Sequence, residues 1–334
     1  MIKTVFFFRK PIKGYHSIEE LFQTIIGKLP IDILPVVKKM PFTSTGLVRR
    51  LVNLCMAPFY QGNINHITGD IHYIALFLRK RKTILTIHDL EIINRSNPLK
   101  RALILFFWFR LPAKRVAYIT VISEFTKREL LRYITISPDK IKVLPNCVPG
   151  TITFCPKTFN DQYPVVLQVG TKHNKNISNV VKALEGINCK LVILGELDSG
   201  QVELLKKHRI FYESYSQLSY ESVLELYKQA DMLIFASTYE GFGLPILESQ
   251  AMGRPVVTSN ISSMPEVAGD GACMVDPFDV SSIREGILKV MNDIAYRDEL
   301  ITRGRANADK FKPGTIAEQY ARLYRQVYDE YKLH

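Results

Sequence analysis

The five cysteines, Cys55, Cys147, Cys155, Cys189 and Cys273, form no C-x-x-C pair and no disulfide-like spacing. That scatter points to free thiols in a reducing compartment. No apolar run approaches the roughly 20 residues that span a bilayer. The opening MIKTVFFFRK has too short an apolar stretch, and no cleavage site, for a signal peptide; it reads as a first buried strand. Asp-x-Asp, His-Glu-x-x-His and clustered Cys/His are all missing, so no metal is expected at the site. There is no internal repeat or low-complexity tract, and Gly and Pro are at ordinary levels, which excludes a fibrous or disordered chain. The longest aromatic cluster is tightly apolar, and no nucleic-acid motif occurs, so no nucleic-acid partner is expected.

What is present is a chain of 334 residues, 47% hydrophobic, a size that fits two domains of about 150 residues each. Its net charge of +12 is lopsided. Residues 1–150 carry 24 Lys and Arg against 9 Asp and Glu, whereas residues 151–334 carry 20 against 23. An anionic surface or macromolecule should therefore meet the first half.

Strand-like runs at 4–8, 83–88, 118–122 and 141–144 alternate with helical patterning in that half. Ser17 and Glu20 have capping-box spacing, so a helix is expected from residue 18 to about 26. Ser123 is placed to cap another. The domain boundary is expected between 149 and 162. In the second half, strands at 165–169, 190–194, 231–236 and 255–258 alternate with helices near 177–185 and 219–229, and a last helix is expected over 316–331. Apolar strands alternating with helices imply an α/β protein with parallel sheets covered on both faces. Ligands in such sheets sit beyond the carboxyl ends of the strands.

The segment EGFGLPILE, residues 240–248, follows one of those strands and opens a helix. Gly241 and Gly243 let backbone approach a ligand, and Pro245 suits a first helical turn. A helix starting there would aim N–H groups at a diphosphate. Glu248 is suited to two vicinal ribose hydroxyls, and Glu240 to the group beyond the phosphates; the alternative is a β-to-α turn with incidental acids. The loop VGTKHNKN, residues 169–176, puts Lys175 and Asn176 at the same sheet edge, as phosphate contacts or as a solvated surface loop. His88 ends a first-domain strand beside Asp89; its ring either donates to a sugar hydroxyl or developing charge, or is structural. Residues 99–111 combine Phe106, Phe107, Trp108 and Phe109 with flanking bases, near the basic run 79–82. Two readings stay open: a surface helix entering a membrane interface with Trp108 as anchor, or a core helix followed by a solvated basic loop.

Together these motifs resemble the retaining glycosyltransferases called group 1 or family 4, of GT-B fold. The Glu-x7-Glu segment from Glu240 to Glu248 is the strongest match, joined by AMGRPVV at 251–257, SMPE at 263–266, VGT at 169–171 with Lys175 and Asn176, and VLPN at 143–146. The resemblance implies two Rossmann-like domains facing each other across a cleft: an acceptor-side domain over 1–155, a donor-binding domain over 156–310, and a helix over 311–334 crossing back to the first. It implies Glu240 and His88 as catalytic residues. Donor contacts would come from Gly170, Thr171, Lys172, Lys175, Asn176, Gly241, Phe242, Gly243, Leu244 and Glu248, and acceptor-side contacts from Gly14, Tyr15, His16, Ser17 and Ser123. Thr171 stands where many relatives have Arg, the first loop has one glycine, and Cys147 replaces a usual Gly.

The activity implied is transfer of a hexose-type sugar from a nucleotide-diphosphate sugar to a saccharide or polyprenyl-linked acceptor in cell-surface polysaccharide synthesis, without a required cofactor. An anionic membrane surface is a further partner, and the expected location is cytoplasmic or peripheral on the cytoplasmic face of the plasma membrane. The alternatives are a nucleotide-sugar epimerase or phosphorylase of the same architecture, or a nonenzymatic nucleotide-sugar-binding subunit.

Overall fold

The computed structural model describes residues 1–10, 17–94 and 96–333. Its contacts divide the chain into two units, Met1–Cys147 with Pro313–His334, and Val148–Lys312.

Unit 1 runs β1 (Ile2–Phe8), α1 (Ser17–Ile26), β2 (Ile33–Lys39), α2 (Leu47–Met56), β3 (Ile64–Ile67), β4 (Thr83–Ile87), α3 (Glu91–Asn94), α4 (Pro98–Ile104), a π-helical stretch Leu105–Arg110, α5 (Leu111–Lys114), β5 (Tyr118–Val121), α6 (Glu124–Tyr133) and β6 (Ile141–Val143). The strands form one parallel sheet in the order β2-β1-β3-β4-β5-β6. Strand β1 shows why both faces are covered. Its side chains alternate, Val5 and Phe7 joining α2, the π-helical stretch and α6 on one face, Phe6 and Phe8 joining α1 and the last helix on the other.

Unit 2 runs β7 (Val165–Val169), α7 (Ile177–Leu184), β8 (Lys190–Leu194), α8 (Ser199–Lys207), β9 (Tyr212–Tyr215), α9 (Tyr220–Gln229), β10 (Met232–Phe235), α10 (Leu244–Met252), β11 (Val256–Ser259), α11 (Met264–Ala268), β12 (Cys273–Val275), α12 (Val280–Asn292) and α13 (Ile294–Ala308). Helix α14 (Pro313–Lys332) then belongs to unit 1. The second sheet is also parallel, ordered β12-β11-β10-β7-β8-β9. This doubly wound order reverses between β7 and β10, so the loops leaving those two strands flank the crevice where such sheets bind ligands.

Helix α14 seats Ile316, Ala317, Tyr320, Leu323, Tyr324 and Val327 against unit 1. Each large apolar side chain buried this way contributes about 2 kcal/mol. Beneath it lies a polar chain: the His66 ring meets Tyr324 Oη at 2.8 Å and Thr86 Oγ1 at 2.7 Å, and Thr86 meets Thr120 at 2.6 Å. All four side chains are buried, so each polar atom there depends on its partner.

The aromatic segment divides its side chains between core and surface. Leu105 and Phe109 face the core, while Phe106 and Phe107 are each 47% exposed. Trp108 departs from the anchor expectation. Its indole N–H donates to the Asp70 carbonyl at 3.3 Å, and Arg50 and Tyr73 cover the ring, because one turn of helix cannot put four consecutive bulky residues on one side.

Candidate active site

The two loops at the switch point of the second sheet are stitched together by side chains. Gly170 leaves β7 at φ +90°, and a Cβ there would stand 2.8 Å from the Lys175 side chain. The glycine thus makes room for Lys175 to reach across, over the Phe235 ring at 4.5 Å, to Glu240 Oε1 at 2.6 Å. Both members of the pair are mostly buried, at 17% and 15% side-chain exposure, so water screens their attraction weakly. Asn174 Nδ2 donates to the Tyr239 carbonyl at 2.9 Å and to Glu240 Oε1 at 3.3 Å, while its own carbonyl accepts from Thr238 N–H.

Glu240 is held by its backbone as well. Its N–H donates to Ser262 Oγ at 3.2 Å, and its carbonyl accepts from Ser262 at 3.1 Å and Ser263 at 2.8 Å; Ser263 also reaches the Phe242 carbonyl at 2.7 Å. Phe242 turns its ring inward against Phe311, leaving backbone to line the loop. Gly243 then opens α10 at φ +107° with no side chain capping the helix, so the positive end of the α10 dipole faces the loop uncapped. One turn further, Glu248 Oε2 accepts from Tyr227 Oη of α9 at 2.5 Å. Burial raises the Glu248 carboxyl above its ordinary value, and the Tyr227 hydrogen bond offsets only part of that shift.

In unit 1, His88 follows the carboxyl end of β4. Its Nε2 lies 2.8 Å from the Thr68 carbonyl, and Phe22 packs edge-on at 6.2 Å. Burial lowers its pKa, so the neutral ring carries its proton on Nε2, the atom facing a carbonyl that can only accept. The ring therefore presents Nδ1 as an acceptor, the reverse of the donor role expected from the sequence.

The sequence family described as Glycosyl transferases group 1 matches residues 153–307, and Glycosyltransferase Family 4 matches residues 23–149. O-antigen chain mannosyltransferase B of Escherichia coli is 27% identical over 274 residues, covering 74% of this chain and 71% of that protein. The serotype-specific mannosyltransferase WbdA of Escherichia coli is 27% identical over 257 residues; this chain spans 32% of its length, and the match covers 69% of this chain. The solved structure of Anabaena HepE in complex with UDP-glucose superposes with a TM-score of 0.77 at 14% identity, over 98% of this chain and all of that one. The chain is a group 1 glycosyltransferase. Its two parallel α/β sheets have the GT-B fold, and enzymes of this kind use nucleotide-sugar donors.

Within this glycosyltransferase the structure brings Gly170, Lys175, Glu240 and Gly243 to neighbouring loops of one sheet edge, with Glu248 one turn into α10. Thr171 underlies the loop, with its carbonyl accepting from Gln201 at 2.7 Å, and Lys172 is exposed. Leu244 begins α10. Asn176, at φ 59°, spends its amide on the carbonyls of Ala236 at 3.0 Å and Pro277 at 2.7 Å, which makes it a fastener of the crevice wall. Ser123 is fully buried, and its hydroxyl accepts from Thr126 N–H at 3.0 Å and donates to Thr126 Oγ1 at 2.9 Å. Gly14, Tyr15 and His16 lie outside the described residues; Ser17 begins α1.

The sequence assigns no role to several positioning residues: Asn174, Tyr227, Ser262 and Ser263 in unit 2, and Arg9 in unit 1. Arg9 joins Glu19 at 2.8 Å and Asp70 at 3.0 Å, beside the switch point between β1 and β3. The serines had a usable signal, since Ser262 and Ser263 leave β11 at the same sheet edge as the Glu240 loop. Tyr227 had none, because a helical tyrosine announces no partner.

Proposed function

We propose that this enzyme transfers a hexosyl group, with retention of anomeric configuration, from a nucleotide-diphosphate sugar to a saccharide or polyprenyl-linked acceptor in cell-surface polysaccharide synthesis. The observation that carries the reading is the switch-point cradle. A cation, Lys175, and an uncapped helix start at Gly243 flank one loop, with one carboxylate, Glu240, on that loop and a second, Glu248, one turn into α10. Lys175, the backbone from Gly241 to Leu244 and the α10 dipole neutralise the diphosphate as it leaves, with Gly170, Thr171 and Lys172 forming the opposite lip and Asn176 setting its geometry. Glu248 takes the ribose hydroxyls. Glu240 and His88 Nδ1 orient the donor sugar, and the leaving diphosphate accepts the acceptor's proton on the same face.

No metal ion is needed, since these groups supply the positive charge. Gly14, Tyr15, His16, Ser17 and Ser123 belong to the acceptor side, Ser123 as the cap that fixes α6. The basic first unit meets an anionic membrane surface on the cytoplasmic face of the plasma membrane, where a lipid-linked acceptor would be held. The two relatives named above are mannosyltransferases, which puts a mannosyl donor first. The test is a donor screen by thermal shift, followed by transfer assays with and without a chelator. Glu240→Ala should lower transfer about a hundredfold. A folded Glu240→Ala variant with full activity would refute the assignment, and loss of activity on chelation would refute metal independence.

A further inference from the structure

At the amino ends of β4, β5 and β6, the sheet edge opposite His88, unit 1 has a cleft of about 790 Å³. Lys80, Arg110, Lys114 and Lys140 line it, Ile136 and Phe106 supply apolar wall, and no Asp or Glu is among its lining residues. None of the four bases is ion-paired among the described residues. Arg110 is aimed by its Nε–H, which donates to the Tyr133 carbonyl at 3.2 Å. The volume suits a small-molecule group, and four cations without counter-charge suit an anion.

The surroundings say which anion. Phe106 belongs both to the cleft and to the exposed pair with Phe107, the rings stacked edge to face at 5.0 Å. The loops at the same sheet edge carry Phe59, 86% exposed, and Phe77, 53% exposed. Residues 33–123, which hold all of these groups except Ile136 and Lys140, contain 14 Lys and Arg against three acids, Asp70, Asp89 and Glu91. Exposed phenylalanines beside bases without counter-charge give this edge the chemistry of a surface that lies on a bilayer. We propose that the cleft takes the phosphodiester headgroup of an anionic phospholipid, with Phe106 and Phe107 entering the acyl boundary beside it. The proposal rests on the membrane-surface reading above and adds a defined headgroup site to it.

The test is flotation of the full chain with neutral phosphatidylcholine vesicles and with vesicles containing phosphatidylglycerol, at physiological salt. Two charge-matched pairs are compared: Lys114→Gln with Lys140→Gln inside the cleft, and Lys39→Gln with Lys100→Gln on exposed ground outside it. The cleft pair should weaken binding to the anionic vesicles about tenfold, the outer pair about twofold, and Phe106→Ser with Phe107→Ser should also weaken it about tenfold. Equal losses from both lysine pairs would overturn the headgroup site while leaving the membrane reading intact. A wild-type chain that floats with neither vesicle would overturn both. If the phenylalanine pair has no effect and inorganic phosphate displaces the protein from vesicles beyond the effect of equal ionic strength, the ligand is a soluble anion and the lipid assignment fails.

Discussion

The proposed site gives Lys175 two claims on its charge, Glu240 at 2.6 Å and a diphosphate. A hydrogen bond to a charged group contributes about 1.5–3 kcal/mol net, so the first claim lowers what the second can contribute. Glu240→Gln keeps the shape, removes the competing charge, and should tighten binding of a free nucleoside diphosphate about fivefold. The same change should cut transfer about a hundredfold, because the donor sugar loses its carboxylate. Lys175→Ala should weaken nucleotide binding and transfer together. Calorimetry against UDP and GDP, beside turnover, separates the two residues. A Glu240→Gln variant that binds nucleotide more weakly than wild type would show that the pair acts as a single donor contact instead.

Gly243 connects the residue to the element. Its φ of +107° is costly for any side chain, and a Cβ would stand 3.1 Å from Ile246 Cδ1. Gly243→Ala should cost about 1–2 kcal/mol of stability and, by tilting the start of α10, raise the donor KM more than it lowers kcat. Thermal melting with steady-state kinetics checks this; a stable variant with unchanged KM would place the diphosphate elsewhere. This element was legible in the sequence because one short segment combines a strand end, two glycines, a proline and two acids. Strands β2, β3, β9 and β12 were not. β2 is an edge strand holding Pro35 and two lysines, β9 reads YESY at the other sheet's edge, and β12 is three residues long. β3 is the instructive miss. It lies inside the sheet yet reads INHI, and Asn65 and His66 are polar because they serve Gly62 and α14, partners that only the fold supplies. The crevice residues were visible for the opposite reason, since their spacing along the chain is itself the geometry.

Across the whole molecule, the buried titratable groups divide the two units by their response to acid. His66, His72 and His88, all in unit 1, are held below the ordinary histidine value by burial, His66 down to about 3. Between pH 6.5 and that depressed value the unfolded chain binds protons that the folded unit refuses, so unit 1 loses stability as pH falls through this window. Glu248 in unit 2 has the contrary sign. Its raised pKa means that the folded carboxyl keeps a proton the unfolded chain has released, so its cost appears as pH rises above about 4.5 and disappears on acidification. Glu248→Gln should therefore raise the melting temperature of unit 2 at pH 7 and change it little at pH 4, while weakening nucleotide binding. Hydrogen exchange read by peptide mass from pH 7 to pH 4.5 should show protection lost first across β3, β4 and α14, because opening that helix lets His66 take up the proton it refuses while buried against Tyr324 and Thr86. α14 should open together with the strands it covers, although the 165 residues of unit 2 separate it from the rest of its unit. Loss of protection first in β7 or α10 would mean that the histidines are not the acid-sensitive element, and that the hydroxyl partners of His66 tolerate its charge.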